Sequence, residues 1–109
     1  MPMWRASPVS VEPEVVLVSW SVVEAQTGER HFVGYCVRNR QGRVSSAIKS
    51  FNLQTRQGVT RSGRIYLLEG EPGRDADADY VWERWAAVNG VTSTRDVTHE
   101  FVQSRAGQE

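Results

Sequence analysis

The chain has 109 residues, 39% of them hydrophobic, and its thirteen Lys and Arg cancel thirteen Asp and Glu to a formal net charge of zero at pH 7. That is the size and composition of one globular domain able to bury a core without staples, and the single cysteine, Cys36, excludes an intramolecular disulfide framework. Neutrality also argues against a dedicated nucleic-acid-binding domain, which is normally clearly basic.

Residues 1–13 carry Pro2, Pro8 and Pro13 without periodicity and are read as a flexible N-terminal segment. A single α+β domain is expected over 14–103, followed by a flexible Gly/Gln-rich tail at 104–109. The first residues hold no basic region followed by an apolar run, and no apolar stretch is long enough to span a bilayer. A cytoplasmic location without membrane attachment is the resulting expectation.

Val15–Glu24 is rich in β-branched residues, which predicts a strand with Val16, Val18, Trp20 and Val22 on one face. A turn at Gln26–Glu29 leads to a second strand, His31–Arg38, and a turn at Asn39–Gly42 leads to a third, Arg43–Phe51. Asn52–Ser62 is polar and reads as a loop, and Arg64–Leu68 as a fourth strand that stops at Gly70-Glu71-Pro72-Gly73. From Asp75 the period becomes helical, with Ala78, Val81, Trp82, Trp85 and Val88 on one stripe, Asp75 or Asp77 as cap and Gly90 as stop. Thr92–Gln103 fits either helix or strand. The predicted fold is α+β: an antiparallel four-stranded meander with one amphipathic helix across one face, plus that undecided C-terminal element.

Three motif fragments fail on chemistry. Gly58 and Gly63 have phosphate-loop spacing, but Arg64 and Ile65 stand where Lys and Ser/Thr are needed, which leaves only an anion nest at Ser62-Gly63 to consider. Asp75-x-Asp77-x-Asp79 begins like a calcium loop, but Tyr80 replaces the required glycine and Ala86 the bidentate glutamate. His31 and Cys36 lie an odd number of residues apart on one strand, so they point to opposite faces and form no nucleophile–base pair. No catalytic residue, metal site or cofactor is predicted.

One feature remains. Between Glu29 and Glu69 there is no acidic residue, while Arg30, Arg38, Arg40, Arg43, Lys49, Arg56, Arg61 and Arg64 fall in the interval. If Val33, Tyr35, Val37, Ile48, Ile65 and Leu67 face the helix, alternation sends Phe32, Arg38, Arg43, Lys49, Phe51, Arg64 and Tyr66 to the other face, with Arg40, Arg56 and Arg61 in the connections. Cations interleaved with aromatics on an open sheet face suit an acidic protein surface or a single-stranded nucleic acid. The expected function is therefore a small non-enzymatic binding module for a macromolecular partner, with self-association through a sheet face or edge as a further possibility. The alternative is an enzyme or binder of a small anion with a pocket near the 52–63 loop, drawing on Arg61, Arg64, His31 or His99.

Overall fold

The computed structural model describes residues 13–102. The predicted flexible segments, Pro13 apart, lie outside these residues. In chain order the elements are β1 (Glu14–Ala25), β2 (Arg30–Cys36), β3 (Gln41–Val44), β4 (Ile48–Asn52), β5 (Gln57–Thr60), β6 (Ile65–Leu68), α1 (Ala76–Val88), β7 (Thr94–Asp96) and a short 3-10 helix, Thr98–Phe101.

The strands form a seven-stranded sheet in the order β3-β2-β1-β6-β5-β4, with β7 also paired to β1. β1 and β6 run parallel through Glu14–Leu17 and Ile65–Leu68, and the remaining pairs are antiparallel. The sheet is thus mixed, and the predicted four-stranded antiparallel meander is incorrect. Two local features hid this. The predicted third strand is broken at Ser45–Ala47 into β3 and β4, and the predicted 52–62 loop contains β5.

The break at Ser45 has a chemical cause. Its amide donates to the Phe32 carbonyl at 2.9 Å, and its hydroxyl accepts from the Phe32 amide at 2.8 Å while donating to the Ser46 carbonyl at 2.7 Å. Two residues on, the Ala47 carbonyl accepts from the Arg61 amide at 2.8 Å. Within three residues the chain leaves the β2 side of the sheet and joins the β5 side, anchored by these hydrogen bonds at both ends of the crossing.

β1 carries the second irregularity. Its register against β2 slips between Val18 and Ser21, a bulge in which Ser19 takes a φ of 47°. One extra residue reverses the pleat, so Val15 and Leu17 before the bulge and Trp20 and Val22 after it all enter the core. Strict alternation places Val16 with Trp20; in the structure Val16 is 41% exposed.

The sheet curls around this core. A Cβ on Gly58 of β5 would lie 2.4 Å from Phe32 Cζ of β2, although β1 and β6 separate those strands in the sheet. Phe32 packs against Tyr66, Phe51 and Phe101 at centroid distances of 5.6, 6.0 and 6.1 Å. The face predicted to be open is therefore the concave interior.

Helix α1 covers the opposite face of β2 and β3. Asp75 caps it by accepting from the Ala78 amide at 2.9 Å, and Gly90, at φ 71°, follows its end. Its backbone rests on Gly42, where a Cβ would come within 2.4 Å of the Ala78 nitrogen. Ala78 and Val81 are buried and Trp82 and Trp85 half-buried, as the stripe predicts, but Val88, in the last turn, is 65% exposed. The undecided C-terminal segment is part strand, β7, and part 3-10 helix; Val97, between the two, and Phe101, at the end of the helix, enter the core.

Candidate functional site

Curling redistributes the cations of the acid-free interval. Arg43 and Arg64 are buried, and Arg43 Nε donates to the Tyr66 hydroxyl at 3.4 Å. Phe32 and Tyr66 lie in the core, and Phe51 is half-buried at its rim. Arg30 pairs with Glu24 at 3.1 Å and Glu100 at 2.8 Å, Arg61 pairs with Glu29, and Arg56 donates to the Gly70 carbonyl at 2.9 Å. Glu24 also holds Arg95, and its hydrogen bonds to Arg95 and Arg30 keep its carboxyl below the ordinary range. Acids that flank the interval in sequence thus return to neutralise part of it in space.

Arg38, Arg40 and Lys49 remain exposed, and no carboxylate among the described residues pairs with them. Arg38 and Arg40 sit in the turn after β2, whereas Lys49 lies near the start of that strand, beside Arg30. Seven extended residues separate the two ends by roughly 20 Å. No single face gathers the candidate residues.

Three of them do meet. Lys49, Phe51 and Arg61 line an open groove of about 510 Å³ together with Gly28–Arg30, Ala47, Ile48, Ser50 and Phe101. One wall is β4, the terminal strand of the sheet, and the other is the start of β2; the Ser45–Ala47 crossing joins them at one end. The groove is a seam where the curled sheet stops short of closing. Sequence reasoning missed Ala47, Ile48 and Arg30 as its lining, because the seam exists only through the crossing.

The backbone in this seam can be read from the ladders. The Asn52 carbonyl accepts from Arg56 and the Ala47 carbonyl from Arg61, and Thr60 donates to Arg64 on the β6 side. Alternation then turns Gln57 and Val59 toward β4 and leaves Phe51, opposite Gly58, with its N–H and C=O directed away from β5 into the seam. On the other wall, Phe32 directs both groups at Ser45, so Arg30, two residues earlier, also faces away from β1. Lys49 is the extra residue of a bulge between Ile48 and Ser50.

A smaller pocket of about 180 Å³ lies behind the Glu29–Arg61 ion pair, lined by His31, Trp85, Asn89 and Gln26 among others. It unites His31 and Arg61 as the small-ligand reading requires, whereas Arg64 and His99 are elsewhere. His31 is 2% exposed, its Nδ1 is 2.9 Å from the Ser45 carbonyl, and the Trp85 ring stands 4.6 Å away. Burial pushes its pKa below the ordinary value, against the opposing pull of that carbonyl, so the ring is neutral with its proton on Nδ1. The anion nest considered at Ser62-Gly63 has no amide to offer: Ser62 donates to the Ser46 hydroxyl at 3.2 Å and Gly63 to the Thr60 carbonyl at 2.8 Å. Among the described residues no group of three or more His, Cys, Asp or Glu is placed to hold a metal ion, and no helix is long and apolar enough to cross a membrane.

No protein-family model, curated protein or solved structure matches the chain.

Proposed function

We propose that the protein is a small non-enzymatic binding module that engages an acidic surface of a partner protein, with the seam beside β4 as the contact. The observation that supports this reading is the groove in which Lys49, Phe51 and Arg61 converge around an apolar lining of Ile48 and Phe101. Three cations border it against the one carboxylate of Glu29, and Lys49 alone is uncommitted to an acid among the described residues. A nucleic acid is the less favoured partner. Phe32, Phe51 and Tyr66, the stacking candidates, are packed on one another instead of standing free beside the cations. The small-anion alternative is weakened because Glu29 already occupies Arg61 at the mouth of the smaller pocket.

Fluorescence anisotropy with labelled polyglutamate and with a single-stranded oligonucleotide of equal charge, both at low salt, tests the reading. Saturable binding of polyglutamate, weakened by Lys49→Glu, supports it. Failure to bind polyglutamate, or a preference for the oligonucleotide, refutes it.

A further inference from the structure

We infer that the partner enters the seam as an extended acidic segment that adds a strand to the free edge of β4. This rests on the binding-module reading above and names the shape and chemistry of what is bound. An uncovered strand edge offers main-chain donors and acceptors at fixed spacing, and an extended peptide is the ligand that matches them. Here the Phe51 amide and carbonyl point into the groove, and no backbone bond to another described residue claims them. The groove also holds side-chain positions of the two kinds that strand addition uses. Ile48, Ala47 and Phe101 provide an apolar floor for one face of an alternating segment, and Lys49 provides a cation for the other.

Charge decides which strand is admitted. Natural sheets protect their edges with lysines and bulges, and β4 has both, in Lys49 and the bulge that contains it. A second copy of this edge would bring another Lys49 to a groove already lined by Lys49, Arg30 and Arg61, which opposes self-pairing. A segment with a carboxylate opposite Lys49 reverses the sign of that interaction. The protection against self-association is thus also a selection for an acidic guest. The walls of the seam limit the geometry further. β2 and β4 approach within 8 Å between Cα atoms at their closest, less than the roughly 9.6 Å that a strand between them needs, so the guest lies along β4 only where the seam is wider and pairs with no residue of β2.

The test is a displayed library of random nine-residue segments selected on the full chain, with the enriched segments then synthesised and their affinities measured. The expected result is an alternation of acidic and apolar residues without internal proline, binding at least tenfold weaker to Lys49→Glu, and a comparable loss when alternate amides of the peptide are N-methylated in one of the two registers. Unchanged melting of Lys49→Glu establishes that the variant is folded. Enriched acidic peptides that keep their affinity in both N-methylated registers overturn strand addition while leaving the acidic-partner reading intact. No enrichment, or equal binding to Lys49→Glu, overturns the inference.

Discussion

Ser45→Ala removes the hydroxyl that makes the β3–β4 crossing possible, and its cost can be worked from the hydrogen bonds. Ser45 is 0% exposed, so water cannot replace what is lost. Its hydroxyl accepts from the Phe32 amide at 2.8 Å and donates to the Ser46 carbonyl at 2.7 Å. A buried amide left without an acceptor costs about 1–3 kcal/mol, and the carbonyl keeps a second lone pair and loses less. A destabilisation of about 2 kcal/mol follows, which for a domain of this size lowers Tm by roughly 10 °C. Urea titration followed by tryptophan fluorescence reads this as a fall in the midpoint at unchanged slope. The neighbouring Ser46→Ala is the control. The Ser46 hydroxyl accepts from Ser62 at an exposed site, at 3.2 Å, and its loss is worth about 0.5 kcal/mol or less. A Ser45→Ala variant within about 0.5 kcal/mol of the parent, or a Ser46→Ala variant equally destabilised, would refute the role given to this hydroxyl.

Gly42→Ala places a methyl carbon against the backbone of α1, which has no side chain to move aside, and should destabilise by about 1–3 kcal/mol in the same titration. Gly58→Ala drives a methyl toward the Phe32 ring, 2.4 Å from Cζ, and should cost a similar amount, whereas Arg61→Ala breaks an exposed ion pair and should cost under about 1 kcal/mol. His31 is held neutral in the folded chain with a pKa below 6.5, so the unfolded chain binds more protons as the pH falls through 6.5. Its contribution to stability is therefore complete above that value and declines below it, down to the depressed folded pKa; urea midpoints between pH 7.5 and 5 should fall, and should fall less in His31→Asn.

Helix α1 was legible because its signals are local: Asp75 as cap, the stripe from Ala78 to Trp85, and Gly90 beyond the end. The first two strands were legible in position for the same reason. The sheet was not, since its parallel β1–β6 pair depends on residues about fifty apart, and no local pattern encodes which strand lies beside which. Alternation correctly separated Phe32 from Val33 but could not say that the Phe32 side would curl into the larger core. Nor could it foresee that a bulge at Ser19 would bring Leu17 and Trp20 to the same side. The acid-free interval was visible at once, yet its partition into buried Arg43 and Arg64, paired Arg30 and Arg61, and exposed Arg38, Arg40 and Lys49 depends on that curl. The seam was invisible because its defining residue, Ser45, looks like any other strand serine until its hydroxyl is seen to bind Phe32.

Amide hydrogen exchange of the free protein addresses the open edge of β4 most directly. The Phe51 amide points into the seam, while the Val59 amide is turned toward β4 within the sheet. Phe51 should exchange faster than Val59 by at least about a factor of ten, as an unpaired edge amide does beside a paired one. Equal protection of the two amides would mean that the seam is closed, and that β4 has no free edge to offer a partner.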